Sequence, residues 1–522
     1  MKLSSIGILI CYKNLPSKML SSKNLLSKIA SPVLSRKLSL IKTQGFINGK
    51  WVTAQGGTKF EILNPSNQSV IASVPDMDAQ DTKLAIDAAT EAFKSFSNTT
   101  AKYRANLLRT WYNLMVEHSE ELAKILTQEN GKSLAESRAE IAYGNSFIEW
   151  FSEESRRING EILPPTTDNR KLMILKQPAG VAALITPWNF PHAMITRKAG
   201  AAIAAGCTCV IKPSEDTPLT ALALAQLAEK AGFPSGVINV ITTNTSNSPS
   251  VGKTICDDER IRVVSFTGST QVGKILYRQC ADNVKKVCLE LGGNAPFIVF
   301  ESANIELAVS SAMVCKFRNT GQTCVSANRF YVHKNVFHEF TSKFLEHIQR
   351  DIVLGDGMKP GVTHGPLIKK SQIDMVDNLV RDAVNKGAKL LCGGKRLKNL
   401  GELFYSPTLL TGVNENMEIF KKEIFGPIAV IHEFENEDQV LENANNINVG
   451  LAGYFYSENL SQIFRVARKM EVGMIGVNEG LISCAEAAFG GVKESGLGRE
   501  GSKHGVDDFL DIKYLCLGNI KY

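Results

Sequence analysis

Five short apolar runs, separated by stretches with helical spacing, are the feature that most restricts the fold of this chain. The runs are residues 181–186, 209–212, 237–241, 263–266 and 287–291. Short apolar strands that alternate with helices are typical of a parallel sheet covered by helices. This part of the chain therefore predicts an α/β fold with a Rossmann-like nucleotide-binding domain.

The flanking segments predict further elements. At 522 residues the chain is too long for one simple core, so two or more domains are expected. Residues 294–492 have the pattern of a second α/β domain, and residues 172–177 and 512–517 predict strands outside both domains. Residues 81–151 predict long amphipathic helices, whose apolar positions include Leu107, Leu108, Trp111, Leu114 and Met115.

The charge distribution indicates a targeting segment. The formal net charge is +7, but residues 1–42 hold eight Lys and Arg and nine Ser, and no acidic residue precedes Glu61. Without those eight charges the remaining chain carries −1 (+7 less 8), which argues against a nucleic-acid partner. A basic, serine-rich segment without acids predicts a mitochondrial transit peptide and a matrix location. Two alternatives stay open: a secretory signal around residues 6–11, and a disordered tail that carries no targeting signal.

Composition excludes two other kinds of site. No apolar run reaches the roughly 18 residues that a membrane span needs, so no membrane is expected as a partner. The eleven cysteines form no C-x-x-C pair, and there are only eight histidines, so no metal site is expected.

Cys324 and Glu290 are candidates for a thiol nucleophile and a carboxylate base. Cys324 ends the run NTGQTC at 319–324, and Glu290 begins ELGG at 290–293, 34 residues upstream. A thiolate attacks carbonyl carbon, and a carboxylate activates the water that releases a thioester. The spacing alone does not show that the two meet, and a single cysteine is most often a small buried apolar residue.

A glycine turn follows the fourth apolar run. It is GSTQVG at 268–273, which differs from the G-x-G-x-x-G form. Such a turn offers backbone N–H groups to a pyrophosphate at the start of a helix, but similar turns also join strands and helices that bind no ligand.

Six ordered motifs resemble the aldehyde dehydrogenase superfamily, and the likeness extends from about residue 45 to the C-terminus. It is strongest to the succinate-semialdehyde branch. The motifs are PWNFP at 187–191, KPSE at 212–215, FTGS at 266–269, ELGG at 290–293, GQTC at 321–324 and EIFGP at 423–427.

The resemblance implies a fold with three parts. These are a Rossmann-like NAD-binding domain at 45–157 and 181–292, an α/β catalytic domain at 293–492, and a small β arm at 158–180 and 493–522. The arm bridges subunits in the family, which implies a homo-oligomer, either a tetramer or a dimer.

The resemblance also implies roles in catalysis. Cys324 attacks the aldehyde, the Asn189 side chain and the Cys324 backbone N–H hold the oxyanion, and Glu290 activates water against the thioester. Coenzyme A-acylating members lack this glutamate, so the chain is expected to hydrolyse its intermediate. Some relatives carry a second cysteine two residues after the nucleophile, but this chain has Ser326, so that redox switch is expected to be absent.

By the same resemblance, Lys212 and Glu215 bind the adenosine ribose, and Glu423 and Phe425 lie at the nicotinamide end. A carboxylate at the ribose repels a 2′-phosphate, so Glu215 favours NAD over NADP without excluding NADP. The other cofactor-binding positions implied are Trp188, Gly268, Ser269, Gly273 and Leu291.

Three residues match the positions that hold the substrate carboxylate in the succinate-semialdehyde branch, namely Arg197, Arg318 and Ser483. Arginine suits this task because its planar fork pairs with a carboxylate in two parallel hydrogen bonds. The expected reaction is oxidation of succinate semialdehyde to succinate with NAD, a step of GABA degradation. Oxidation of another carboxylated aldehyde such as glutarate semialdehyde, and a non-catalytic NAD-binding scaffold, stay as alternatives.

Overall fold

Two sheets built mainly on parallel strands carry most of the chain, which confirms the predicted α/β class. The computed structural model describes residues 40–519. The predicted transit segment 1–42 lies outside the described residues, apart from its last three positions.

The strands are β1 (Gly45–Ile47), β2 (Lys50–Val52), β3 (Lys59–Leu63), β4 (Val70–Pro75), β5 (Glu161–Leu163), β6 (Arg170–Pro178), β7 (Val181–Ile185), β8 (Thr208–Lys212), β9 (Ile238–Val240), β10 (Ile261–Thr267) and β11 (Lys286–Glu290). They continue with β12 (Ala295–Val299), β13 (Ala327–His333), β14 (Lys389–Cys392), β15 (Thr408–Thr411), β16 (Ile428–Phe434), β17 (Val449–Gly450), β18 (Ala452–Tyr456), β19 (Met474–Val477), β20 (Val492–Lys493), β21 (Gly496–Leu497) and β22 (Leu510–Gly518).

The helices are α1 (Ala79–Phe96), α2 (Ala101–Glu117), α3 (Ser119–Asn130), α4 (Leu134–Glu154), α5 (Pro191–Ala205), α6 (Pro218–Lys230) and α7 (Ser248–Asp257). They continue with α8 (Thr270–Cys280), α9 (Ile305–Phe317), α10 (Phe337–Asp351), α11 (Lys370–Asn385), α12 (Glu418–Lys421), α13 (Glu437–Asn445) and α14 (Leu460–Lys469).

The first sheet has eight strands in the order β2-β1-β9-β8-β7-β10-β11-β21. Its five central strands are the five predicted apolar runs, and they pair in parallel. Every residue of β7 and β8 is buried, as expected where helices cover both faces of a parallel sheet. Because parallel strands end at one edge, the segments after β7, β8, β10 and β11 lie together there.

The second sheet has seven strands in the order β14-β15-β16-β13-β12-β18-β19, all parallel except β14. Its core includes Phe297 of β12, whose ring lies 4.9 Å from that of Phe330 and 4.8 Å from that of Tyr456. The loop that carries Cys324 enters this sheet through β13.

A three-stranded antiparallel sheet, β22-β6-β5, forms the arm. β6 and β22 pair along their whole length, from Arg170 with Gly518 to Pro178 with Leu510. The predicted strands at 172–177 and 512–517 are therefore confirmed and extend further at both ends. The segment 493–522 also contributes β21 to the eight-stranded sheet. The domain boundaries stay a prediction.

The predicted helical region is also confirmed. Residues 79–154 contain α1 to α4, and Trp111 is buried with its indole N–H donating to the Leu224 carbonyl at 3.1 Å. Among residues 40–519, no helix combines the length and apolar character required to cross a bilayer.

Replacing Phe297 by alanine tests the core of the second sheet. This side chain is fully buried among aromatic rings, so the change is expected to cost about 3–5 kcal/mol of unfolding free energy. The matched control is Phe464→Ala, because that side chain is 64% exposed. Urea unfolding followed by fluorescence measures both, and equal losses would contradict the assignment of Phe297 to the core.

Candidate active site

A cavity of about 300 Å³ lies at the carboxyl edge of the first sheet. Cys324 and Glu290 both line it, so the structure brings together the two residues that the spacing alone left apart. The predicted site residues along its wall are Trp188, Asn189, Gly268, Ser269, Glu290, Leu291, Cys324, Glu423 and Phe425.

The loop that presents Cys324 has an unusual backbone. Asn319, Thr320 and Gly321 have φ values of 52°, 55° and 75°. These lie in the left-handed backbone region, which residues other than glycine rarely adopt. A Cβ on Gly321 would lie 2.2 Å from the carbonyl oxygen of Gly426, so only glycine fits. The Asn319 N–H donates to a Glu136 carboxylate oxygen at 2.6 Å, which helps to hold the strained turn.

Asn189 is fixed at both its side chain and its backbone. Its Nδ2 donates to the Gln322 carbonyl at 3.2 Å, and its Oδ1 accepts from the Phe190 N–H at 3.1 Å. Its carbonyl oxygen accepts from Lys132 Nζ at 2.7 Å and from Asn319 Nδ2 at 2.9 Å. The amide is therefore held against the segment that leads to Cys324.

A buried ion pair supports Asn189. Lys132 Nζ lies 2.6 Å from Glu140 Oε2, and both side chains are fully buried. The other Glu140 oxygen accepts from the His192 N–H at 3.0 Å at the start of α5, where helical N–H groups lack partners. Burial raises the pKa of Glu140, and the charge of Lys132 lowers it. Burial lowers the pKa of Lys132, and the charge of Glu140 raises it.

Glu290 is a buried carboxyl group at the end of β11. Neither of its oxygens has a hydrogen-bond partner among residues 40–519. Burial and the charge of Glu500 raise its pKa well above the usual value, although Arg197 and Lys198 act in the opposite direction. A carboxyl group with a raised pKa suits a general base near neutral pH.

Glu500 pairs with two neighbouring cations of α5. It forms ion pairs with Arg197 and Lys198, and Lys198 Nζ also donates to the Ser265 hydroxyl at 2.9 Å. Burial raises the pKa of Glu500, but the two cations lower it below its usual value. Glu500 is therefore ionised, and its negative charge raises the pKa of Glu290.

The Cys324 thiol is not activated by its surroundings alone. Burial, together with the charges of Glu423 and Glu290, raises its pKa, while Arg197 and Arg318 lower it, and the net pKa is about 12. The thiol is thus protonated at neutral pH, and a base would have to remove its proton before the sulfur could act as a nucleophile.

The three predicted carboxylate-binding residues face one tyrosine. Burial raises the pKa of the Tyr143 hydroxyl, and the nearby Arg197, Arg318 and Ser483 lower it. Arg197 is 1% exposed, and its guanidinium interacts with the Tyr143 hydroxyl and the Phe489 ring as well as with Glu500. Arg318 lies over the Phe190 ring, 5.2 Å from its centre. Two guanidinium groups and two hydroxyls thus converge close to Cys324.

The predicted cofactor residues form two groups. Glu423 accepts from the Gly293 N–H at 3.3 Å and lies in the cavity wall, where burial raises its pKa to about 7. Lys212 and Glu215 lie outside that wall: Lys212 is the last residue of β8, and Glu215 lies in the loop that follows and pairs with Lys369. Gly273 lies in α8, and a Cβ there would come within 2.4 Å of the Leu291 side chain.

Five residues near the site were not predicted from the sequence, namely Tyr143, Lys132, Glu140, Lys369 and Glu500. Four of them lie in or beside helices whose pattern indicates only a core-facing stripe. Glu500 had a weak signal, since it follows the glycine-rich segment 496–498.

The chain matches the model of the aldehyde dehydrogenase family over residues 51–515. It is 50% identical over 482 residues to the mitochondrial succinate-semialdehyde dehydrogenase of Homo sapiens, which covers 92% of this chain and 90% of that protein. It is 49% identical over 481 residues to the glutarate-semialdehyde dehydrogenase of Pseudomonas aeruginosa, covering 92% and 99%. The crystal structure of an NADP-dependent enzyme of Escherichia coli superposes with a TM-score of 0.90 at 49% identity, covering 92% of this chain and 98% of that one.

Replacing Lys132 by methionine tests the support of Asn189. The change leaves the Glu140 carboxylate buried without its partner, so we expect a loss of about 3–5 kcal/mol in unfolding free energy. The control is Lys422→Met, because Lys422 pairs with Glu418 on the surface and its loss is expected to cost about 0–1 kcal/mol. Urea unfolding measures both, and a loss at Lys132 no larger than at Lys422 would refute the role of the buried pair.

Proposed function

Since this chain belongs to the aldehyde dehydrogenase family, we propose that it oxidises succinate semialdehyde to succinate with NAD. The chain is an oxidoreductase that acts on an aldehyde. The observation that carries the choice of substrate is the convergence of Arg197, Arg318 and Ser483 around Tyr143, beside the cavity that contains Cys324.

Cys324 and Asn189 carry out the first part of the proposed reaction. The Cys324 sulfur bonds to the aldehyde carbon, the carbonyl π electrons move to oxygen, and the thiol proton goes to a base. The Asn189 amide has a second N–H beyond the one given to Gln322, and this donates to the oxyanion. One preorganised donor of this kind typically contributes about 3–4 kcal/mol. The nicotinamide cofactor, when bound, supplies the two-electron oxidation that converts the thiohemiacetal to a thioester.

Glu290 carries out the second part. Its carboxylate removes a proton from water, the resulting hydroxide attacks the thioester carbon, and the carbon–sulfur bond breaks to free Cys324. Its burial and unpartnered oxygens support this role, because burial raises its basicity and no residue among 40–519 donates a hydrogen bond to the carboxylate.

The wall of the cavity suits the pyrophosphate and nicotinamide parts of a dinucleotide. Gly268 and Ser269 lie between β10 and α8, and Ser269 caps α8 through the Val272 N–H, so the helix N-terminus opens towards the cavity. Side chains on Gly268 and Gly292 would collide with Phe266 and Glu423, so the close packing at both positions favours glycine. Glu423, Phe425, Trp188 and Leu291 would hold the nicotinamide half, and Lys212 and Glu215 the adenosine ribose. Glu215 supports a preference for NAD over NADP.

Two other functions are less well supported. Glutarate semialdehyde has one more methylene, which discriminates by only about 1–3 kcal/mol, and a relative named for that substrate is 49% identical. A non-catalytic scaffold has no need of the cavity that Cys324, Asn189 and Glu290 share.

The proposal includes an oligomer and a mitochondrial matrix location. The arm exposes Ile162, Ile512 and Tyr514 at 77%, 71% and 58%, and such an apolar surface is typical of a subunit interface. The matrix location is supported by the composition of residues 1–42 and by the mitochondrial relative.

Initial rates of NADH formation test the proposed function. The purified chain is given succinate semialdehyde, glutarate semialdehyde or butanal, which has the carbon count of succinate semialdehyde but no carboxylate. We expect the highest kcat/KM with succinate semialdehyde. Equal values with butanal would remove the substrate assignment, and no turnover of any aldehyde would favour the scaffold.

Replacing Cys324 by alanine is expected to abolish turnover, because no other group at the cavity can form the thioester. The matched control is Cys484→Ala, an exposed cysteine whose loss should leave kcat unchanged. Calorimetry should show NAD binding retained in both variants. Residual turnover in Cys324→Ala would rule out the proposed nucleophile.

Replacing Arg318 by alanine is expected to raise KM for succinate semialdehyde about 10- to 100-fold, since it removes charge-assisted hydrogen bonds to the carboxylate. The same variant should change KM for butanal by less than about threefold. An equal change for both aldehydes would contradict a role for Arg318 in holding the carboxylate.

Replacing Glu500 by glutamine is expected to shift the acid limb of the kcat–pH profile to lower pH. Glu500 raises the pKa of Glu290, and its loss also leaves the charges of Arg197 and Lys198 uncompensated, so both effects lower that pKa. A base with a lower pKa stays ionised at lower pH. The control is Glu494→Gln, an exposed carboxylate paired with Lys274, which should cause no shift. A shift to higher pH would contradict the coupling.

A further inference from the structure

Lys369 contacts the carboxylate proposed to bind the adenosine ribose. Its Nζ lies 3.4 Å from Glu215 Oε1 and 2.6 Å from Asp216 Oδ2. Lys369 immediately precedes α11, far along the chain from the loop after β8 that carries the two acids. The sequence offers no periodicity that would pair these segments. Lys369 therefore brings a cation from a distant element to Glu215, the residue proposed to favour NAD over NADP.

The four charges at this place balance. Lys212 and Lys369 are cations, Glu215 and Asp216 are anions, and both cations lower the pKa of each carboxyl group. Burial lowers the pKa of Lys212, whose ammonium donates to the Pro213 carbonyl at 3.3 Å. Without Lys369 the cluster would carry a net charge of −1 and would repel a phosphate. With Lys369 the formal sum is zero.

Glu215 is also partly engaged by its neighbours. The oxygen nearest Lys369 accepts from the Thr245 hydroxyl at 3.2 Å, and its other oxygen accepts from Ser214 at 3.4 Å. A carboxylate in an ion pair repels a second anion less than a free carboxylate does. The Lys369 side chain is 39% exposed and flexible, so its ammonium can turn from Glu215 to another anion while Asp216 still holds it.

We propose that Lys369 is a cofactor-selectivity residue, which weakens the discrimination of Glu215 against a 2′-phosphate and allows NADP to bind as well as NAD. This inference rests on the proposed function, because it takes Glu215 as the residue at the adenosine ribose. It extends that proposal by assigning the balance between the two cofactors to a side chain outside the KPSE motif.

Calorimetric titration of the full chain with adenosine 2′,5′-bisphosphate and with 5′-AMP tests the proposal without catalysis. The two probes differ only in the 2′-phosphate. In Lys369→Gln we expect Kd for the bisphosphate to rise about tenfold and Kd for AMP to change less than about twofold. The control is Lys370→Gln. Lys370 is the next residue in the chain, its side chain is 79% exposed and it pairs with Asp374, so removing its charge should leave both Kd values unchanged.

The outcomes separate the possible failures. If Lys369→Gln binds the bisphosphate as tightly as the unchanged chain does, or if Lys370→Gln has the same effect, the selectivity role is wrong. If both probes weaken equally in Lys369→Gln, the residue is only a brace between α11 and the loop after β8, and the proposal is again overturned. If the unchanged, folded chain binds neither probe, the cofactor assignment in the proposed function fails together with this inference.

Discussion

The ion pairs of Glu500 with Arg197 and Lys198 are the interaction on which the proposed active site depends. All three side chains are buried, and charges without partners are costly to bury, so the two cations of α5 need this carboxylate. The same carboxylate raises the pKa of Glu290. The Arg197 guanidinium also interacts electrostatically with Tyr143 and Cys324. In the proposed mechanism, substrate binding by Arg197 and the base strength of Glu290 are therefore linked through Glu500.

A second buried pair has a structural role. Lys132 and Glu140 join the carbonyl of Asn189 to the N-terminus of α5. Because α5 also carries Arg197 and Lys198, Asn189 and the proposed carboxylate-binding residue Arg197 are fixed to the same helix. The strained turn at 319–321 is hydrogen-bonded to Asn189 through Asn319, so Cys324 is held by the same set of contacts. Preorganisation of this kind lowers the cost of reaching the transition state.

The sequence predicted the elements better than it predicted the polar network. β7 to β11 begin and end within two residues of the predicted runs, because buried parallel strands leave continuous apolar runs. Glu290 and Gly268 could be predicted at the cavity, since each lies at the end of such a strand. Tyr143, Lys132 and Lys369 could not, because a helical pattern identifies an apolar stripe but not which polar side chain meets a distant loop. The contact of Lys369 with Glu215 spans 154 residues and has no local signal.

Mass spectrometry of a Glu290→Gln variant tests the central claim most directly. The variant is mixed with NAD and succinate semialdehyde, quenched in acid and digested. If Cys324 is the nucleophile and Glu290 activates the water, a succinyl group should accumulate on the peptide that contains Cys324, with about one equivalent of NADH released in a burst. No acyl group on that peptide, or an acyl group on another cysteine, would contradict the account.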